Sequence, residues 1–325
     1  MLATGDHRES IPSPPSQIMP GALNPATEAR RRPAFVALPL AVVGALLISG
    51  AGGLAWTVLI GFNLKHWSDL PWAVPAMLAV IGLVCAWGQG WGPPQGSSKV
   101  RRSLSGLAWP RSRDWPLAAP AAGLTAVSIL CVWFAALRLG GFSAAEFQAP
   151  AATRPLDAGI VAVGLAMTAF VAAVFEETAY RGVLQSTFQR RVGPALAITV
   201  SSIVFYLVHL RYGWAAGELP KAVASGVALI WAGVAFGILT WCARSVWPAI
   251  FAHALTDVVS LSAEWRLGWT YDIDPVPSGG DPRFLLVCGV GAASFGALLL
   301  IWRRLARRAR SEPPTAGNQT LRRSV

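Results

Sequence analysis

DAGIVAVGLAMTAFVAAVFEETAYRG, residues 157–182, decides how the rest of the chain is read. From Ala158 to Phe175 no charged side chain interrupts the run, and then Glu176, Glu177 and Arg181 arrive together. A membrane span needs roughly 20 mostly apolar residues, so the run reads as a transmembrane helix that carries two carboxylates at or near its end. Charges in such a place are costly and are functional candidates by default. On a helix, Glu177 and Arg181 are four apart with the acid first, the better orientation for an ion pair. Glu176 then points about 100° away, so one carboxylate reads as structural and the other as available for chemistry. Taken alone, the cluster reads equally well as a solvated ion-pair group where the helix leaves the membrane.

Working outward, apolar runs of similar kind recur at about 34–62, 71–91, 116–137, 157–176, 193–210, 222–243, 245–262 and 284–302. The expectation is an all-α protein, a polytopic membrane bundle of about eight transmembrane helices. Composition agrees: of 325 residues, 54% are hydrophobic and only 13% charged, where soluble domains carry about a quarter charged. Residues 1–33 are polar and rich in Pro, Ser and Arg and read as a disordered tail. The segment 303–325 reads as a second, basic, disordered tail. The membrane domain is then 34–302, with the charged motifs confined to about 157–262.

The net charge of +11 does not indicate a nucleic-acid partner, because the basic residues lie between apolar runs or in the tails, where topology uses them. Arg30, Arg31 and Arg32 precede the first span. Lys99, Arg101, Arg102, Arg111 and Arg113 lie between the second and third, and Arg190 and Arg191 follow the fourth. Arg244 follows the sixth, and Arg303, Arg304, Arg307, Arg308 and Arg310 the eighth. The alternate connections are poorer: Lys65; Arg138 with Arg154; Arg211 with Lys221; Arg266 with Arg283, beside Glu264, Asp272, Asp274 and Asp281. The positive-inside rule places both termini in the cytoplasm, which an even number of spans requires. Cys85, Cys131, Cys242 and Cys288 all fall in apolar runs without a CxxC pair and read as small buried hydrophobes.

Two further runs carry ionisable groups. The fifth ends Ser201-Ser202-Ile203-Val204-Phe205-Tyr206-Leu207-Val208-His209, and the seventh contains His253-Ala254-Leu255-Thr256-Asp257. Phe205 lies one turn before His209 and limits its ring. His253 and Asp257 are four apart, so the carboxyl can hydrogen-bond the imidazole. His209 alone could be interfacial, and His253 with Asp257 a buried structural pair, though an expensive one. Convergence of all three groups in one bundle favours a site.

These residues resemble the CPBP family, the CAAX prenyl endopeptidases and bacteriocin-processing proteins. Its EExxxR motif is matched by Glu176-Glu177-Thr178-Ala179-Tyr180-Arg181, its FxxxH by Phe205 to His209, and its HxxxN, variably HxxxD, by His253 to Asp257. Ser245-Val246-Trp247-Pro248-Ala249-Ile250 is similar to the stretch before the third motif. The resemblance covers about 175–260; the first three spans carry no motif and agree only in number with eight-helix members. It implies an intramembrane endopeptidase of glutamic type, cleaving a peptide or protein substrate at the bilayer. Glu176 and His209 would activate a water, His253 and Asp257 would hold the oxyanion, and Glu177 and Arg181 would position the helix. A carboxylate desolvated among helices suits base work near neutral pH.

One departure matters: an Asn at the last position donates an amide N–H, which an ionised Asp cannot. Asp257 must be protonated, orient His253, or bind a metal. Glu176, His209 and His253 would also make a zinc set with an open position. The metal-free reading, with no cofactor, is favoured because no HExxH-type helix pairs the histidines. The competing readings are a non-proteolytic membrane scaffold or immunity protein on the same fold, and a proton-coupled transporter. The latter predicts inverted repeats, whereas the ionisable groups here occupy one half of the chain. High Ala, Arg, Gly and Trp content points to a bacterial plasma membrane, where prenylated targets are not expected and maturation of a surface or secreted substrate is.

One further expectation concerns depth. Glu176 and His209 meet only if the fourth helix continues past the carboxylates to about Arg190.

Overall fold

A computed structural model of the chain describes residues 34–66, 71–139, 158–209, 219–267 and 282–311. Both tails as far as 33 and from 312, and the connections 67–70, 140–157, 210–218 and 268–281, on which much of the topology reading falls, lie outside the described residues. Helices stand where each apolar run was expected: α1 Ala34–His66, α2 Ala73–Gly88 and, after a short amphipathic α3 at Ser98–Ser105, α4 Trp115–Leu139. Then follow α5 Ala158–Glu176, a π-helical segment Glu177–Gln185 and α6 Ser186–Val192, in one unbroken rod. The series closes with α7 Pro194–His209, α8 Leu219–Ala243, α9 Trp247–Leu267 and α10 Pro282–Ser311. Among the described residues there is no strand.

By length and composition, five stretches suffice to cross a membrane: Leu38–His66, Trp115–Ala136, Ala158–Val192, Gly226–Ala243 and Phe284–Arg308. Ala73–Gly88 and Pro194–His209 are apolar but shorter; at 1.5 Å per residue, 16 residues reach about 24 Å, short of a ~30 Å hydrocarbon core. The helix Trp247–Leu267, which carries His253 and Asp257, is not among the five. The last span does not end at 302. It runs on as helix to Ser311, so Arg303, Arg304, Arg307 and Arg308 ride on α10 rather than in a tail.

Leu47, Leu54, Leu83, Leu286 and Leu300 are exposed on the outside of the bundle. A surface with that much bare apolar side chain is one whose solvent is lipid, and the protein is an integral membrane protein. Of the cysteines expected to be buried, only Cys242 is; Cys85 and Cys131 are half-buried and Cys288 is exposed. A thiol on an apolar helix needs no burial when the neighbour is an acyl chain.

Packing encloses the rod around the motif, where 177–182 are buried. α1 covers α5 and the π segment, α9 lies against α5 and α4, α8 sits between α4 and α7, and α10 runs along α4. Gly52 of α1 faces the Phe175 ring, and a methyl there would overlap it. Trp56 Nε1 donates to Thr168 Oγ1 at 2.9 Å, fixing α1 to α5 one step further along. At one end, α3 is tucked in and locked by the buried Arg101, whose guanidinium donates to the carbonyls of Trp87 (3.0 Å), Pro94 (2.7 Å) and Gly92 (2.9 Å). Gly106, at φ 65°, takes the left-handed turn that ends α3, and its carbonyl accepts from Val246 N–H at 3.0 Å. Gly182, directly after Arg181, packs on the Ser105 carbonyl, where a Cβ would not fit.

Candidate active site

The rod's continuity resolves the depth problem. The fourth helix does pass Arg190, reaching Val192, so Glu176 stands near the middle of a 35-residue helix. The π segment begins directly after it. Such wide turns inside α-helices occur frequently at functional sites. Here one of its carbonyls, that of Tyr180, accepts from Ser201 Oγ of α7 at 2.8 Å. The paired serines noted in the sequence thus have separate roles, since Ser202 Oγ donates within its own helix to Ile198 O at 2.7 Å.

Three helices bring the four expected chemical groups together. Glu176 Oε2 lies 3.7 Å from His209 Nε2 at the end of α7 and 4.0 Å from His253 Nε2 of α9. Asp257 Oδ2 is 3.3 Å from the same His253 Nε2. The side chains of Glu176, His209 and Asp257 are 19%, 23% and 28% exposed, against 7% for His253. His209 and Asp257 therefore remain reachable, Glu176 is reachable only in part because its Oε2 is buried, and His253 is walled in. His209 Nδ1 lies 2.7 Å from the Phe205 carbonyl. A carbonyl only accepts, so Nδ1 carries a proton and Nε2 is the nitrogen turned to Glu176. The Phe205 ring, 4.4 Å from that imidazole, restrains it as the one-turn spacing suggested.

Beneath this layer lies a dry one. Arg181 Nη1 donates to Glu177 Oε1 at 3.0 Å with both side chains 0% exposed, the pair expected from the spacing. Spacing did not disclose the second contact of that carboxylate: Glu177 Oε1 lies 2.9 Å from His253 Nδ1. Glu177 is thus a shared acceptor for arginine and histidine, and His253 faces an acidic side chain at each ring nitrogen. Nothing local signals this, because the partners are 76 positions apart.

The remaining unforeseen residues sit on α8 and in the π segment. Arg181 Nη2 donates to Gly233 O at 3.3 Å and Gln185 Nε2 to Gly237 O at 3.0 Å. Phe236 stacks on His253 with ring centroids 5.0 Å apart and planes 17° from parallel. The Arg181 guanidinium also lies over Phe205 (4.5 Å) and Phe236 (5.3 Å), favourable cation–π placements. The signal in the sequence that could have found these residues is the pair Gly233 and Gly237, four apart. The Ser245–Ile250 stretch serves a plainly structural purpose, since Ser245 Oγ donates to Ala108 O at 2.7 Å and Trp247 Nε1 to Leu107 O at 2.9 Å. Together these contacts anchor the start of α9. Among the described residues no group of three or more His, Cys, Asp and Glu side chains is arranged to hold a metal ion.

The polytopic helical bundle thus gathers two adjacent carboxylates, two histidines and a further acid from three helices into one cluster. Residues 158–259, which contain every one of those groups, match the family model described as type II CAAX prenyl endopeptidase Rce1-like, consistent with a CPBP family protease. No curated protein and no solved structure matches the chain. The family match supports a peptidase of intramembrane CAAX-protease type, acting on a protein substrate at the membrane.

Proposed function

We propose that the protein is a glutamic-type intramembrane endopeptidase, in which Glu176 and His209 activate a water for attack on a peptide carbonyl. The observation that carries this reading is the 3.7 Å separation of Glu176 Oε2 from His209 Nε2. It is longer than a direct hydrogen bond and suits a water oxygen shared by the two. Glu176 takes a proton as the water oxygen attacks and hands it to Nε2 of His209, whose Nδ1–H stays bound to a carbonyl, and Nε2 passes it to the leaving amine as the C–N bond breaks. His253, held at Nδ1 by Glu177, turns Nε2 toward the oxygen that becomes the oxyanion, and Asp257 stands beside it as the second member of that set. Donors aimed at developing charge are usually the largest catalytic term. The substrate is a membrane-associated or secreted protein, and the enzyme sits in a bacterial plasma membrane with both termini cytoplasmic.

The test compares membranes from cells making the wild-type protein with those making Glu176→Gln, by mapping new peptide termini. The variant keeps shape and hydrogen bonding but has no base. Termini that depend on the wild-type protein and vanish with Glu176→Gln, at equal membrane levels, are expected. Identical termini in both would remove Glu176 from the role of base. Chelation addresses the metal: activity lost to chelator and regained on adding zinc would overturn the metal-free mechanism and make Glu176, His209 and His253 ligands.

A further inference from the structure

We infer that Phe236, which belongs to none of the three motifs, is a positioning residue of the site, acting through His253. The statement rests on the reading of His253 as part of the reacting set, and it starts from α8.

The sequence Gly233-Val234-Ala235-Phe236-Gly237 puts two glycines on one face, four residues apart. Each lies where another side chain leaves no space. A Cβ on Gly233 would sit 2.8 Å from Ser202 Cβ, and one on Gly237 would sit 2.9 Å from Gln185 Oε1. These contacts let the α8 backbone come close enough to offer the carbonyls of 233 and 237 to Arg181 and Gln185. The donors are also four apart, so two helices are matched in register over one turn. Phe236 lies on the same face, between the two anchored carbonyls, and is fully buried. Its position is fixed from both sides before its ring touches anything else.

What the ring then touches is His253. The Glu177 contact at Nδ1 fixes one end of the imidazole at 2.9 Å, while the longer 3.3 Å contact of Nε2 with Asp257 restrains its plane less tightly. A near-parallel ring at 5.0 Å removes the remaining freedom, because turning the imidazole would drive its edge into the phenyl face. Phe205 closes the other side, edge-on at 6.1 Å. The plane that results is the one that brings Nε2 to 3.3 Å from Asp257 and 4.0 Å from Glu176. Glu177 thus decides where His253 stands, and Phe236 decides which way it faces. A flat side chain is required for the second role, and volume alone is not enough.

The experiment uses the full chain with ¹⁵N,¹³C-labelled histidine in nanodiscs, read by NMR. His253 signals are assigned by their loss in His253→Gln, and His209 signals by their loss in His209→Gln. In Phe236→Leu the His253 ring C–H resonances are expected to move downfield, as the phenyl ring current is lost, and to broaden as the imidazole rotates. Those of His209 should stay in place. Phe236→Tyr, which keeps the plane, is expected to restore the wild-type position. His253 signals unmoved in Phe236→Leu would overturn the inference. So would signals of both histidines moving together in Leu and Tyr variants alike, which would mean a general loosening of the bundle. If Phe236→Leu fails to accumulate in membranes, Phe236→Met tests the same loss of a flat face at similar length. The readout is independent of any cleavage, so its failure is distinct from that of the protease reading, which Glu176→Gln tests.

Discussion

Asp257 is the residue at which the chemistry of the side chain and the family pattern disagree. Its Oδ2 faces His253 Nε2 at 3.3 Å, a distance at which a protonated carboxyl donates and a carboxylate accepts. Asp257→Asn separates these. An amide can donate from the same place, so if donation is what the site needs, the variant is expected to keep most of the wild-type cleavage in the membrane peptide assay. A near-complete loss would instead assign Asp257 a charged role. Arg181→Ala is expected to behave differently, because it strands Glu177 in a dry layer where both partners are 0% exposed. Removing one member of a buried pair costs about 3–5 kcal/mol. The expected outcome is a lower melting temperature and lower membrane abundance together with lost activity, which thermal unfolding in detergent reads directly. Glu176→Gln, by contrast, should leave the melting temperature near wild type. The ion pair of Glu177 and Arg181 was legible from spacing alone, since four positions on a helix determine it. The contact of Glu177 with His253 was not, because it depends on how α5 and α9 cross.

At the scale of elements, hydropathy revealed where helices stand but not how far they run. The fourth apolar run stops at its first charge, yet the helix continues as a π segment and α6. The charges there are satisfied by neighbouring helices instead of by water, and no local pattern announces that. The final helix outlasted its apolar run for the opposite reason: arginine is a good helix former, so Arg303, Arg304, Arg307 and Arg308 extend α10 beyond the apolar stretch. The first helix carried no motif and so drew no functional reading, although its Gly52 forms the notch for Phe175, the residue directly before Glu176. This makes a sharp prediction from two adjacent glycines. Gly52→Ala pushes a methyl into the Phe175 ring and is expected to cost about 1–3 kcal/mol as an overpacked contact, with reduced cleavage. Gly53→Ala meets nothing within 4 Å and is expected to leave melting and activity unchanged or slightly improved. Paired thermal melts of the two variants decide it, and equal losses would remove the notch from the account.

For the molecule as a whole, the basic residues are the informative ones. α3 with Arg101 packs against Gly182 through Ser105, the turn before α9 holds Arg244, and Arg308 Nη1 donates to the Arg113 carbonyl at 3.1 Å while facing Asp114 at 3.9 Å. Segments that the charge alternation assigned to one side therefore meet at one end of the bundle. Reporter fusions after 105 and 315 are expected to report the cytoplasmic side, and fusions after 66, 146, 216 and 275 the opposite side. One inverted pair would break the topology. That end of the bundle is also where the stretch before the third motif is fastened, by Trp247 to Leu107 and by Ser245 to Ala108.

Those fastenings have a practical consequence. The segment 158–259 that matches the family is contiguous in sequence but is not a portable unit. Grafted into another bundle, it would arrive without the Gly52 notch behind Phe175, without the carbonyls of 106, 107 and 108 that seat the start of α9, and without the Ser105 shelf under Gly182. A chimera that carries residues 34–66 and 88–115 along with the matched segment keeps these supports. One cut at 158 inherits the motifs and loses the frame that aligns them.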